Sequence, residues 1–211
     1  MVILRRAIGL VRQHLRAFVL INVAYFGLVC SGMAYGAWDR DFHDQYMVES
    51  KKQAADTLSV VFDAYQGGHV AKAISLTFVV NLVAGSFLYI TLPSLIVPFA
   101  GLLLGAVRAV VWGFIFSPSF SAFNGAVLAY GFLVGLLLFL EGEGYVLAML
   151  GSYIHGRSLV YPQSAGVMTR WQGYKSGAIG SFQLYALVAG VLAVAAVYES
   201  LMAIYIMPLV R

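Results

Sequence analysis

Long apolar stretches separated by short polar segments dominate the pattern of this chain. An α-helix needs about 20 mostly apolar residues to cross the hydrocarbon core of a bilayer. Stretches of this kind predict spans at residues 17–38, 73–92, 95–117, 125–141 and 177–198. The pattern therefore predicts an all-α, multi-pass transmembrane bundle with about five spans, in which residues 1–211 form a single integral membrane domain.

The composition agrees with this pattern. Apolar residues make up 61% of the chain and charged residues only 10%, against roughly a quarter in a typical soluble domain. The mean hydropathy is +0.85. These values exclude a disordered chain, a nucleic-acid-binding domain and an ordinary water-soluble enzyme. The single cysteine, Cys30, excludes a disulfide framework.

Positive charges predict the orientation of the bundle. Basic side chains and no acids precede the first span, at Arg5, Arg6, Arg12, His14 and Arg16. Residues 155–175 also carry only basic charges. Because such segments stay in the cytoplasm, we expect a cytoplasmic N-terminus and a location in the cytoplasmic membrane. A signal peptide has a shorter apolar region than residues 17–38, so we expect a retained span, with a cleaved signal as the alternative.

The polar segment 39–72 lies between the first two predicted spans. It contains six acids and four lysines or arginines, which fits an extracytoplasmic segment. Apolar residues recur within it at helical spacing and predict an amphipathic helix that ends at Gln66-Gly67-Gly68. The alternative is a solvated connection with one or two helical turns.

Two places predict irregular or re-entrant structure. Pro93 and Pro98 predict a break near residues 92–107, either as a tight cytoplasmic turn or as a buried broken segment. The largely apolar stretch 125–155 has 31 residues and would reach roughly 46 Å as one helix, more than a bilayer core needs. Two acids and two glycines at positions 141–144 interrupt them. We therefore expect the fourth span to end near Glu141, a second irregular segment near residues 140–156, and a short helix over residues 143–156.

Charged side chains inside apolar stretches are the candidate functional residues. Arg108 lies in the middle of the third stretch, and Glu141 and Glu143 lie at the predicted break. A buried charge costs at least a few kcal/mol unless it is paired or faces water. We expect Arg108 to bond Glu141 or Glu143, with Asn81 as a neutral polar contact between helices. This polar cluster could bind an ion, a proton or a headgroup, form a structural ion pair, or lie at the water boundary.

Glycine spacing predicts where helices approach closely. Gly101 and Gly105 form one GxxxG pair, and Gly131 and Gly135 form another. We expect both pairs to pack helices within this protein, with dimerisation as the alternative. The sequence predicts no catalytic residues, no metal site and no cofactor, because no triad, ligand spacing or phosphate-binding loop is present.

Three runs in residues 70–200 carry a resemblance to a known family. They are Phe78-Val79-Val80-Asn81, the run from Pro98 to Gly105, and the run from Glu143 to Gly151. In order and pattern they resemble the stage II sporulation protein M family of small multi-pass helical membrane proteins. Where that family usually has Pro-His-Gly before the glutamate, this chain has Leu140-Glu141-Gly142.

The resemblance implies that Asn81, Gly101, Gly105 and Glu143 carry over from the family to this chain. It also implies a role similar to that of a membrane anchor within a cell-wall-remodelling complex, as in spore formers. Most other members of that family have no settled activity. The histidine of the family motif is absent here, so no role tied to that histidine is implied.

Three functions are compatible with the sequence. The first is a non-catalytic membrane subunit or scaffold that is not an enzyme. It would contact membrane lipids and other membrane subunits, or form a homo-oligomer, without binding nucleic acid. The second is a permease or transporter subunit that uses polar residues at a broken helix. The third is an intramembrane enzyme acting on lipid through Arg108, Glu141, Glu143 and His155. A water-filled cavity that reaches Glu141 and Glu143 would favour the second or third function over the first.

Overall fold

A computed structural model describes residues 2–117 and 127–207, without the side chains of residues 53–57 and 127–130. The helices are α1 (Val2–Gln13), α2 (Leu15–Trp38), α3 (Arg40–Gln66), α4 (Val70–Ile96), α5 (Ala100–Ile115), α6 (Val127–Val160) and α7 (Arg170–Leu201). Within α4, residues Val80–Thr91 are π-helical, and Met202–Ile206 extend α7 as a π-helical turn. No strand occurs in these described residues, so the predicted all-α helical bundle is confirmed.

Four helices are long and apolar enough to cross a membrane. They are Leu15–Trp38, Val70–Ile96, Gly131–Val160 and Arg170–Ile206. The fifth apolar helix, α5, has 16 residues and reaches about 24 Å, which is short of the roughly 30 Å of a bilayer core. About five spans were predicted, and the described residues contain four full-length candidates and this shorter helix. Residues 125 and 126 of the predicted fourth span lie outside the described residues.

The predicted interruption at residues 140–156 is absent, because α6 continues without a break from Val127 to Val160. The predicted short helix over residues 143–156 is therefore the second half of α6. Its two glycines act in packing: a Cβ on Gly142 would lie 2.9 Å from the Phe26 ring, and one on Gly144 would lie 2.7 Å from Leu192 Cγ. Small residues allow neighbouring helices to approach here without stopping the helix.

A break does occur in the proline-rich segment, and it is confined to residues 97–99. Val97 is extended, with φ −117° and ψ 115°, and ends α4. Phe99 has φ 66°, the left-handed conformation that side chains disfavour by about 1–2 kcal/mol. Its ring fills the space beside Gly156 of α6, where a Cβ would lie 2.7 Å from Phe99 Cδ1. This packing holds the turn between α4 and α5 against the body of the bundle.

The polar segment after the first span is a long helix. Asp39 caps α3 by accepting a hydrogen bond from the Phe42 N–H at 3.2 Å. The helix continues through non-helical angles at Leu58 and ends at Gln66, as predicted. Gly68 then adopts φ 66°, which glycine tolerates without a steric penalty. Segment 39–72 is therefore mainly one helix of 27 residues rather than a solvated connection.

The centre of the bundle is α6, which contacts α7, α2, α4 and α5. Its residues Tyr145, Val146 and Leu150 are fully buried. At one end of α6, Arg157 lines the same cavity as Arg12 and Arg16 of the N-terminal region. The basic segments that the sequence assigned to one side of the membrane therefore do lie at the same end of the bundle.

Glycines bring α2 and α5 into backbone contact. A Cβ on Gly32 would overlap the Val110 carbonyl oxygen and lie 2.9 Å from Phe114 N, and one on Gly113 would lie 2.8 Å from the Val29 carbonyl carbon. No side chain separates the helices at these points. By contrast, Gly27 on the same helix α2 has no atom within 4 Å of the position of its Cβ.

We expect Gly32→Ala to destabilise the protein by about 1–3 kcal/mol, because the added methyl forces two backbones apart. This loss should exceed the helix-propensity gain of up to about 1 kcal/mol that alanine brings. The matched control Gly27→Ala should be neutral or stabilising. Thermal unfolding of both variants in detergent measures the difference, and equal melting temperatures would contradict the packing described.

Candidate functional site

A cavity of about 490 Å³ lies where α3 covers the other helices. Polar groups in its lining are Tyr65, Thr77, Asn81, Arg108, Glu141 and Glu199. They come from five different helices, α3 to α7, so the folded bundle is required to bring them together. The remaining lining is largely apolar, including Leu58, Val61, Ala84 and Trp112. Ligand sites in proteins have this character, an apolar wall with a few convergent polar groups.

A directed chain of hydrogen bonds ends on Glu141. Arg108 Nη2 donates to the Tyr145 hydroxyl at 2.8 Å, and that hydroxyl donates to Asn81 Oδ1 at 3.0 Å. Asn81 Nδ2 then donates to Glu141 Oε1 at 2.6 Å. The two middle members, Tyr145 and Asn81, each accept one hydrogen bond and donate the next, so the bonds polarise one another toward the carboxyl group. The positive charge of Arg108 therefore acts on Glu141 through two neutral side chains.

Two aromatic rings hold the Arg108 side chain. Its guanidinium carbon lies 4.1 Å from the Tyr145 ring centroid and 4.6 Å from that of Trp112. Such cation–π contacts are worth about 0.5–2 kcal/mol and partly replace the hydration that the cation loses. The buried Nε–H of Arg108 has no hydrogen-bond partner among the described residues. Arg108 is therefore held in position while its buried Nε–H is left without a partner among the described residues.

A second carboxyl group meets Glu141 from the facing helix α7. Glu141 is 1% exposed, and the carboxyl of Glu199 lies within hydrogen-bonding reach of it. Glu141 Oε2 accepts no N–H or O–H bond from the described residues. Like charges at this separation repel strongly in a poorly solvated place. The pair is therefore a point at which a proton or a cation is held favourably.

Helix α3 contributes Tyr65 to the site. Its hydroxyl bonds the Thr77 hydroxyl at 2.6 Å and also reaches Glu199. Burial, followed by the nearby Glu199 carboxyl, raises the pKa of Tyr65 well above its usual range, so the hydroxyl keeps its proton. Because the Tyr65 hydroxyl donates its hydrogen bond to Glu199, the Thr77 hydroxyl is the donor in the bond between Thr77 and Tyr65. Tyr65 thus connects the polar segment outside the predicted spans to the carboxyl pair.

The π-helical part of α4 begins beside the site. Val80–Thr91 is π-helical, and Asn81 is its second residue. Ser86 Oγ donates to the Asn81 carbonyl oxygen, five residues earlier, at 3.1 Å. A π-helix is wider than an α-helix and rotates the side chains that follow it, and such segments are frequent at functional sites. Here the altered winding accompanies the placement of Asn81 against both Tyr145 and Glu141.

The structure brings together three of the four residues of the predicted polar cluster. Asn81, Arg108 and Glu141 line one cavity. Glu143 does not, since it lies beside Asn22 of α2, within hydrogen-bonding reach of the Asn22 side chain. The expected ion pair from Arg108 to Glu141 or Glu143 is not formed between these described residues. Arg108 instead bonds Tyr145 and reaches Glu141 through Asn81.

The two predicted glycine pairs differ in their surroundings. A Cβ on Gly101 would lie 2.7 Å from Ser94 Oγ, and one on Gly105 would lie 2.7 Å from Met149 Cγ of α6. This pair packs within the bundle. Gly131 and Gly135 are exposed on α6, and an added Cβ would meet no atom within 4 Å. The expectation that they pack within the protein does not agree with this placement, because the described residues leave that face of α6 uncovered.

Glu199, Tyr65 and Tyr145 belong to the site and were not predicted. Glu199 follows the predicted last span, so its position in the sequence resembled a boundary rather than a buried group. The continuation of α7 to Leu201 and the π-helical turn beyond it place Glu199 inside an apolar helix. An acid flanked by apolar residues on both sides was the available signal. No comparable signal in the sequence distinguishes Tyr65 and Tyr145 from other aromatic residues.

In the described part of the chain, no group of three or more His, Cys, Asp or Glu side chains is placed to hold a metal ion. The chain matches no protein-family model, no curated protein and no solved structure. The site's own geometry is therefore the basis for a functional proposal.

We expect Tyr145→Phe to destabilise the protein by about 1–3 kcal/mol, because it leaves Asn81 Oδ1 and Arg108 without their shared partner in a buried place. Thermal unfolding in detergent measures the loss. Tyr161→Phe is the matched control, since the Tyr161 side chain is 63% exposed. Equal stability of the two variants would contradict the hydrogen-bond chain.

Proposed function

We propose that this protein is a membrane transport subunit in which Glu141 and Glu199 bind and release a proton or an alkali-metal cation. The observation that carries this proposal is the meeting of two carboxyl groups from different helices in one cavity of about 490 Å³. Intramembrane ionisable groups that face a cavity characterise ion and proton pathways. A water-filled cavity at Glu141 and Glu143 was the predicted feature that would favour transport or an enzyme over a scaffold, and the cavity here reaches Glu141 and Glu199 but not Glu143.

Charge balance supports a monovalent cation. The cavity contains one fixed cation, Arg108, and two acids, Glu141 and Glu199. With both acids ionised the site has a net charge of −1, which one proton or one alkali-metal ion neutralises. The hard oxygens of Glu141, Glu199 and Tyr65 are suitable contacts for such an ion. A second arginine in the lining would balance both carboxylates without a bound ion, but the lining contains only Arg108.

The helix geometry supports the same proposal. Transporter sites are commonly built where helices depart from regular α-helical winding. Here Asn81 lies in the π-helical part of α4, and α4 and α5 are separated by the irregular residues 97–99. Helix α3 covers the cavity through Leu58, Val61 and Tyr65. Movement of α3 would give an ion a route to the carboxyl pair.

The test is flux through the purified full-length protein in liposomes. An internal pH-sensitive dye records proton movement driven by an imposed pH gradient, and radioactive sodium and rubidium record the alkali cations. We expect Glu141→Gln and Glu199→Gln each to lower the flux by about tenfold or more, since an amide cannot take up and release the charge. The assay in which flux is detected and is lowered by both substitutions identifies the cation.

Glu143→Gln is the matched control, because it makes the same chemical change two residues away at a carboxyl that lies beside Asn22 instead of lining the cavity. Its flux should stay within about twofold of the unaltered protein, given that its site is separate. Flux equal to that of empty liposomes, or equal loss in all three variants, would contradict the proposal.

A second candidate function is that of a scaffold or subunit that binds another membrane protein. The exposed pair Gly131 and Gly135 on α6 favours it, since close contact of small residues is a common basis for helix association in membranes. We expect Gly131→Leu/Gly135→Leu to reduce cross-linked dimers by several-fold in native membranes if this face associates with a second copy. The pair Gly9→Leu/Gly27→Leu, also at open positions, is the control.

Other expectations from the sequence stay predictions. These are the stage II sporulation protein M resemblance, the cytoplasmic N-terminus and the absence of enzymatic activity. The geometry gives little support to a lipid-acting enzyme built on Arg108, Glu141, Glu143 and His155. Of these four residues, only Arg108 and Glu141 line the cavity. His155 packs with its ring edge-on to Tyr174, at 4.9 Å between centroids.

A further inference from the structure

A second cavity, of about 480 Å³, lies at the C-terminal end of α6. Its walls are the turn between α1 and α2 and the last turns of α6. Three guanidinium groups line it, from Arg12, Arg16 and Arg157, together with His14 and Tyr153. No acidic residue is among the lining residues.

No carboxylate of the described residues neutralises the positive charge of this cavity. None of Arg12, Arg16 and Arg157 forms an ion pair with a carboxylate of a described residue, and neither residues 2–17 nor residues 155–175 contain an acid. Burial, with a further contribution from Arg157, lowers the pKa of the His14 imidazole. The contribution from Arg157 is the part of this shift that reflects the positive charge of the cavity.

The local structure brings the arginines, His14 and Tyr153 together around this cavity. Helix α2 begins at Leu15, directly after His14, and the His14 side chain makes no capping hydrogen bond. The last turn of α1 ends at the same place and offsets the dipole of α2, so the arginines supply the positive charge of the cavity. On the other wall, Arg157 Nη1 donates to the Tyr153 hydroxyl at 3.3 Å, and the Tyr153 ring contacts His14 edge-on. Guanidinium groups are well suited to bind phosphate oxygens.

We infer that this cavity binds the phosphate headgroup of an anionic phospholipid. An acyl chain has a matching surface at the cavity's edge, because Leu15, Val19 and Leu20 of α2 are 54%, 48% and 69% exposed. A headgroup in the cavity would place its tails along these side chains. A soluble phosphate would use the arginines and leave the apolar surface unused. Basic pockets between helices at a membrane boundary bind anionic headgroups in this way.

The test is a binding titration of the full chain in neutral detergent with phosphatidylglycerol that carries a fluorescent tail. Unlabelled phosphatidylglycerol, phosphatidylcholine and inorganic phosphate serve as competitors. We expect phosphatidylcholine to compete at least about tenfold more weakly than phosphatidylglycerol, because it has no net negative charge. Inorganic phosphate should compete only weakly, even at about 10 mM, since it lacks the tails that contribute free energy for each buried methylene.

Substitution separates this site from general charge attraction. Arg12→Gln/Arg16→Gln should weaken phosphatidylglycerol binding by about fivefold for each arginine removed. Arg5→Gln/Arg6→Gln makes the same charge change on α1 outside the cavity lining and should alter binding by less than about twofold. If the first variant does not fold, Arg157→Gln tests the same site from α6 and should also lose about fivefold.

Three results would overturn the inference. Equal loss in the cavity and control variants would show diffuse attraction to the basic end of the bundle. Equal competition by phosphatidylglycerol and phosphatidylcholine would exclude recognition of the anion. Inorganic phosphate that competes as well as the lipid, and loses this ability in the arginine variants, would identify a soluble phosphate as the ligand.

Discussion

The contact between Asn81 and Glu141 is the constraint around which the bundle is arranged. A carboxyl group that is 1% exposed depends on hydrogen bonds from the protein around it. Asn81 supplies one at 2.6 Å, and it can do so only because Tyr145 fixes its amide and Arg108 fixes Tyr145. Four side chains on three helices are therefore interdependent. The hydrogen bonds that join these four side chains link α4 and α5 to the central helix α6.

The hydrophobic pattern was sufficient to predict the class of fold, because crossing a bilayer constrains helix length and composition strongly. It was less informative about continuity. The Glu141-Gly142-Glu143-Gly144 run reads as a break when each residue is judged by its own helix propensity. In the bundle, both glycines accept close neighbours and each glutamate has a polar contact, so the reasons for a break disappear. Tertiary contacts that the sequence does not display decided the outcome at this segment.

The candidate site was predictable in part for the same reason. Arg108 and Glu141 are conspicuous as charges among apolar residues, and Asn81 as an amide at membrane depth. The sequence did not show which of these residues would meet, because the rotation of each helix determines that. Glu141 and Glu143 are two positions apart on α6 and face different neighbours. The role of Glu199 depends on how far α7 continues beyond the predicted span. Whether Tyr65 reaches the site depends on where α3 packs, and the hydrophobic pattern of the spans does not specify that position.

The backbone contact between α2 and α5 has a further consequence for how this molecule can change shape. Where two helices touch through glycines alone, no side chain is available to switch rotamer and absorb a displacement. At these points the two helices resist sliding past each other. Helix α3 is attached by the turns at Asp39 and Gly68 and by side-chain contacts such as the hydrogen bond between Tyr65 and Thr77. Rearrangement near the carboxyl pair is therefore easier at α3, whose side-chain contacts can change rotamer, than between α2 and α5.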